Sequence, residues 1–291
     1  MLSNLLLTLI ILLLISVTTT LMLKQLNFLR RSSLIKNNKN LIKSNMATFQ
    51  DSSIEEDNSV IVGNANEVKR RMSQSAINSG KEISSIKLVA VSKTKPVSDI
   101  MTLYKAGYRS FGENYFQELL DKSPQLPDDI EWHFIGHLQS GKANKLIREV
   151  KSLHVVETVD TIKLAIKLDA ACESANRESL DIYIQVDTSG EDTKSGVPTP
   201  EVIPLVMEII ESCKRLKVRG LMTIGAPGDL TCFDRLVECR QDLAAAMQLP
   251  PENLILSMGM SSDYCEAIER GAQSVRVGSS IFGPRIYQEK I

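Results

Sequence analysis

Eight short runs of the kind that build buried strands recur along the chain, and a helix-period pattern follows each one. The runs are Leu88–Val91, Ser110–Gly112, Trp132–Ile135, Leu153–Val156, Ile182–Val186, Gly220–Thr223, Ile255–Met258 and Val275–Val277. They lack the polar alternation of a half-exposed strand, so they read as a parallel sheet covered on both faces. One helix is expected to open at Ser98 and close at Gly107, and Tyr115, Phe116, Leu119 and Leu120 mark the next. Later helices fall near 141–150, 161–175, 200–216, 234–247 and 262–271. Eight strand–helix units in about 225 residues predict an α/β fold of one domain, a (β/α)8 TIM barrel. The other arrangement is an open doubly wound sheet. No Gly-x-Gly-x-x-Gly follows the first run, which argues against a dinucleotide site.

Upstream, Val60, Ile61, Ala65, Val68, Met72 and Ala76 recur at helical spacing and stop near Asn78-Ser79-Gly80, which predicts an extra covering helix. The expected division is therefore an extension over residues 1–58 and the barrel over 59–291. Leu5 to Leu23 carries no charge and is long enough to be a membrane-span candidate. Lys24, Arg30, Arg31, Lys36, Lys39 and Lys43 follow, with no acid before Asp51. Three readings are open: a signal anchor, an organellar targeting segment, and an extended start with initiation at Met46. Membrane contact is expected only if this segment is retained.

Net charge is −1, which excludes the basic footprint of a nucleic-acid binder. The five cysteines are scattered without a Cys-x-x-Cys pair, so neither a zinc pattern nor a complete set of intrachain disulfides is expected. Reduced thiols point to an intracellular protein. The cytoplasm is the first expectation, with mitochondrial or membrane-anchored placement through residues 1–45 as the alternatives.

In a barrel, chemistry gathers where strands end. The first run stops at Ser92-Lys93-Thr94-Lys95-Pro96, and Pro96 forbids the strand from continuing. Lys93 thus has its stem in the apolar interior and its amine at the mouth, where desolvation favours the neutral, nucleophilic form. The bland reading of Lys93 is a lysine reaching out to solvent. Lys95 reads first as a solvated charge and second as a transient acceptor.

After the seventh run comes Ser257-Met258-Gly259-Met260-Ser261-Ser262, and after the eighth Gly278-Ser279-Ser280. Small residues and hydroxyls ahead of a helix start make an anion site in just the loops where barrels hold phosphate. The plainer reading is N-capping by Ser262 and Ser279. Arg276 lies inside the eighth run; facing the lumen, it would need an acid or a polar ligand atom as partner. A pyridine nitrogen is such an atom, because a guanidinium donates to it and leaves it unprotonated. His133 and His137 read as site-lining groups or satisfied core residues, and Asn114 and Asn144 as ligand contacts or caps. No metal site is expected.

Five segments together carry a resemblance. Val89 to Pro96, Phe111-Gly112-Glu113-Asn114-Tyr115, Trp132 to Gln139, Leu256 to Ser261 and Val275 to Gly283 resemble the pyridoxal phosphate homeostasis protein family, in order, over about Val60 to Arg285. The resemblance implies a barrel like the amino-terminal domain of alanine racemase, with pyridoxal 5'-phosphate (PLP) in its mouth. It implies Lys93 as the Schiff-base lysine and Arg276 against the pyridine nitrogen. Ser257, Ser261, Gly278 and Ser279 would hold the phosphate, with Asn114 and His137 nearer the ring. Asp187 stands where relatives often have Asn, and Ser279-Ser280 where they often have Ser-Thr or Thr-Ala.

Activity is a separate question. A racemase needs a base on each face of the substrate, and in racemases the second is a tyrosine from a further, β-rich domain. The sequence stops at Ile291, just past the eighth run, and none follows there. The expectation is therefore a non-catalytic PLP carrier with no catalytic residues, which passes PLP to apo-enzymes. Two alternatives stand beside it: a PLP-dependent racemase or lyase with Tyr115 as second base, and a cofactor-free Schiff-base aldolase.

Overall fold

The computed structural model describes residues 60–190 and 195–284, which belong to a compact unit beginning at Asn58. The expectations for Leu5–Leu23, the basic run and Met46 lie outside the described residues. Among the described residues no helix is long and apolar enough to cross a membrane.

Helix α1 (Val60–Asn78) comes first and buries Ala65, Val68, Met72 and Ala76. The strand–helix units then follow in order: β1 (Lys87–Val91), α2 (Val97–Lys105), β2 (Ser110–Glu113), α3 (Phe116–Lys122), β3 (Glu131–Phe134), α4 (Ala143–Glu149), β4 (Leu153–Val159) and α5 (Ile162–Ser174). The second half holds β5 (Leu180–Asp187), the two-residue β6 (Val197–Pro198), α6 (Val202–Ser212), β7 (Leu216–Met222), α7 (Thr231–Ala246), β8 (Ile255–Ser257), α8 (Tyr264–Glu269), β9 (Ser274–Val277) and α9 (Ser279–Phe282). β1 pairs in parallel with β2 and with β9, and β4 pairs with β5, so β1–β5 and β7–β9 close into an eight-stranded parallel barrel. β6 pairs only with the end of β5.

Strand alternation sorts the side chains into two layers. Leu88, Ala90, Phe111, Trp132, Phe134 and Val156 face the helices and join the main core. Val155, Tyr183, Met222 and Ile255 form a separate cluster inside the barrel. The rest of the lumen is unusually polar: His133, Glu157, Gln185, Ser257 and Arg276 are all buried.

Three capping expectations are corrected. Pro96 is the N-cap of α2 and makes no side-chain cap bond, so Ser98 lies within the first turn rather than ahead of it. Asp263, not Ser262, occupies the N-cap of α8, and Gly278, not Ser279, that of α9. At its C-terminal side α2 ends as expected, with Gly107 at φ 92°, in the left-handed region that glycine enters freely.

Candidate functional site

A cavity of about 590 Å³ opens at the carboxyl ends of the strands. It is within the size range of small-ligand sites.

The exit of β1 forms its first wall. Ser92 N–H donates to Gly112 O at 3.0 Å, and Lys95 N–H turns back to Ser92 O at 3.1 Å. Thr94, at the centre of this turn, has φ 62°, a strained value for a β-branched residue. A buried network holds it there. Lys122 Nζ donates to Ser92 O (3.0 Å), Glu113 Oε1 (2.8 Å) and Glu118 Oε2 (2.7 Å). Ser92 Oγ donates to Glu113 Oε1 at 2.7 Å, and Thr94 N–H to Glu118 Oε2 at 2.8 Å. Burial pushes the Glu113 carboxyl above its ordinary range, and Lys122 and Ser92 only partly offset this. The outcome is a fixed turn that presents Lys93, half-buried, to the cavity. Lys95 bends to the rim, where Nζ donates to Phe282 O (2.7 Å) and Pro284 O (2.9 Å).

The loops after β8 and β9 form the opposite wall. Gly259, at φ 92°, brings the first loop close to α8; a Cβ there would lie 2.5 Å from that of Ala267. Ser261 Oγ accepts from Gly278 N–H at 3.1 Å and, more weakly, from Ser280 N–H at 3.4 Å. The floor is Arg276, four per cent exposed. Its Nη1 donates to Ser257 Oγ at 2.7 Å and its Nη2 to Thr223 O at 2.7 Å. Burial lowers the Arg276 pKa, and the charge of Glu157 works against that.

Six of the eight residues expected at the site thus line one cavity: Lys93, Asn114, Ser261, Arg276, Gly278 and Ser279. Two do not. Ser257 lies beneath the floor, its O–H donated to Glu157 at 2.6 Å and its oxygen occupied by Arg276, so it has no donor left for a phosphate. His137 is exposed and absent from the lining. His133 is buried in the lumen, its Nδ1 2.6 Å from Glu157 Oε1, while its Nε2 is buried without a hydrogen-bond partner. Asn144 is exposed on α4.

Sequence reasoning missed Glu157. Burial acts to raise its pKa, but the hydrogen bond and charge of His133, followed by the charge of Arg276, outweigh it and hold the carboxyl below the usual range. The signal was a single acid between Val155-Val156 and Val159. The apolar contributors Met222, Ile224 and Phe282 were also missed. Among the described residues no group of His, Cys, Asp or Glu is arranged to hold a metal ion.

Comparison with known proteins defines the class first. Residues 69–285 match the family of the alanine racemase N-terminal domain. The barrel overlays an alanine racemase from Corynebacterium glutamicum with TM-score 0.56 at 17% identity, covering 77% of this chain and 61% of that one, a likeness of fold alone. Nearer relatives are the pyridoxal phosphate homeostasis proteins of Bos taurus and Schizosaccharomyces pombe. The first is 44% identical over 77% of this chain and 86% of its own length. The second is 48% identical over 68% and 84%. PipY of Synechococcus elongatus, solved with PLP bound, has TM-score 0.61 and 31% identity, covering 74% of this chain and all of that one. The chain belongs to the pyridoxal phosphate homeostasis protein family.

Proposed function

We propose that this protein binds pyridoxal 5'-phosphate as part of intracellular PLP homeostasis, holding it as a Schiff base on Lys93. One observation carries the reading: a single cavity gathers an amine, a buried guanidinium and the hydroxyl and N–H groups of two small-residue loops. These match the three ends of PLP, an aldehyde, a pyridine nitrogen and a phosphate. Ser261 Oγ already collects the N–H groups of Gly278 and Ser280, the arrangement into which a phosphate oxygen fits. Arg276 keeps N–H groups beyond those given to Ser257 and Thr223, and one of them donates to the ring nitrogen. Asn114 lies on the same wall as Lys93. The amine of Lys93 condenses with the aldehyde and water leaves; hydrolysis, or attack by another amine, reverses the bond. The relatives named as homeostasis proteins, and PipY with PLP bound, support the same reading.

The role is that of a carrier rather than a catalyst. Among the described residues that line the cavity, the ionisable side chains are Lys93, Lys95 and Arg276. Lys95 is engaged with two carbonyls, and Arg276 does not give up a proton at ordinary pH. Tyr115, the candidate second base, is about half exposed and outside the lining. With a base on one face only, proton abstraction and return on opposite faces is unsupported. Release then delivers PLP to apo-enzymes that need it.

The test is the visible spectrum of purified protein with PLP, for wild type and Lys93→Ala, with and without amino acids. The expected result is an imine band in the wild type, absent in the variant, without appreciable amino-acid turnover. A band retained in Lys93→Ala removes the Schiff-base assignment, and rapid racemisation removes the carrier role.

A further inference from the structure

Beneath the cavity runs a chain of buried polar groups, one from each of four strands. His133 Nδ1–H donates to Glu157 Oε1 at 2.6 Å. Ser257 Oγ–H donates to Glu157 Oε2 at 2.6 Å, and Arg276 Nη1–H donates to Ser257 Oγ at 2.7 Å. Every donor in the chain points toward Glu157, which is fully buried, so the pattern is satisfied with Glu157 as carboxylate. Glu157 Oε2 also stands 4.0 Å from Arg276 Nη1. Glu157 therefore does two things to a guanidinium it does not touch. It fixes its rotation through Ser257, with Thr223 O holding the other end. It also supplies the negative charge that balances it.

The balance bears on how a bifunctional ligand enters. PLP carries a phosphate, and an uncompensated guanidinium at the floor of a low-dielectric cavity would draw that phosphate downward. With Glu157 opposing the guanidinium's charge, the phosphate is left to the N–H groups of the upper loops, and the floor offers only a directed hydrogen bond. We propose that Glu157 is a positioning residue that sets the orientation of PLP, acting through Ser257 and Arg276 to present a hydrogen-bond donor to the ring nitrogen while refusing the floor to phosphate. This rests on the function proposed above.

The experiment compares wild type, Glu157→Gln and Ser257→Ala in full-length protein, each shown to be folded by circular dichroism. PLP affinity is read from the imine band, and inorganic phosphate is titrated as competitor. In Glu157→Gln, affinity for PLP falls about tenfold and phosphate competes about tenfold better, because the floor loses the negative charge that opposes Arg276. Ser257→Ala loses the link but keeps the charge, so PLP affinity falls several-fold and phosphate competition stays at the wild-type level. A purely structural defect weakens PLP without strengthening phosphate. Glu157→Gln with both constants within twofold of wild type, or with weaker PLP and unchanged phosphate competition, overturns the proposal. If Glu157→Gln does not fold, Ser257→Ala decides, and wild-type PLP affinity there overturns it. Failure of the underlying function is distinct: it is a wild type without a Lys93-dependent band.

Discussion

Replacing Lys122 by methionine tests the network that holds the Lys93 turn. The ammonium is ten per cent exposed and its partner Glu113 is fully buried, so removing one leaves the other as an uncompensated buried charge. The fold then has one inexpensive response, which is to take up a proton on Glu113. That carboxyl already sits above its ordinary value of 4.5 with Lys122 in place, because burial opposes ionisation. In the variant it stays neutral when folded and ionises when unfolded. A carboxyl with a raised folded pKa binds more protons in the native state, so stability falls as pH rises above 4.5 toward the folded value. At about 1.4 kcal/mol per pH unit, holding Glu113 protonated costs about 3.5 kcal/mol at pH 7 and under about 1 kcal/mol at pH 5. Urea denaturation at the two pH values measures this. The expected loss relative to wild type is about 3–4 kcal/mol at pH 7, shrinking to about 1–2 kcal/mol at pH 5. Adding Glu113→Gln removes the titrating group, so the double variant loses the pH dependence and regains most of the stability at pH 7. A single-variant loss that is pH-independent, or below about 1 kcal/mol at pH 7, refutes the reasoning.

Two further predictions concern the frame around the cavity. A Cβ at Gly136 would lie 1.8 Å from Asn114 O, backbone that cannot rotate away, so Gly136→Ala destabilises by about 3 kcal/mol or more and displaces Asn114 from the wall. Thermal unfolding with PLP titration checks both effects. At the other end of the barrel, burial acts to raise the Glu131 pKa, but hydrogen bonds from Lys87 and Ser110 bring it to about 2. Its contribution is complete above its ordinary value of 4.5 and disappears as pH falls toward 2. Both partners of the Lys87 pair are more than a third exposed, so the contribution is about 1 kcal/mol or less after solvent screening. Glu131→Gln should flatten that part of the acid-unfolding curve, and a curve identical to wild type would show that the pair contributes nothing.

Where the two faces of a strand are both apolar, its position could be read directly. Leu88–Val91 differs from the observed β1 by one residue at the start, and Val275–Val277 comes as close to β9 although Arg276 occupies its lumen face. The lower half of β7 falls outside the expected run, which begins only at Gly220 after a helix ending at Leu216, because Lys217 and Arg219 are charged and exposed at the barrel's base. β4 was cut short for the opposite reason: Glu157 and Thr158 are polar but buried, and a lumen that carries acids and hydroxyls interrupts the apolar run that marks a strand. The site divides the same way. Lys93 and the small-residue loops were legible because backbone chemistry dictates them. The need of Arg276 for a partner was legible too, but the partner was not, since Glu157 lies 119 positions away and only barrel closure brings it near. Ser257 was misplaced because a hydroxyl at a strand end reads the same whether it points up to a ligand or sideways to a neighbour.

A closed barrel has one seam, where its first strand meets its last. Here that seam is laced at the rim by Lys95, whose amine crosses from the exit of β1 to the carbonyl oxygens of Phe282 and Pro284 just beyond β9. The residue two places earlier is the proposed Schiff-base lysine, and the proposed phosphate grip lies on the far lip of the same seam. On that proposal bound PLP adds a second stitch parallel to the first, and the loaded protein is by that fact a more tightly closed one.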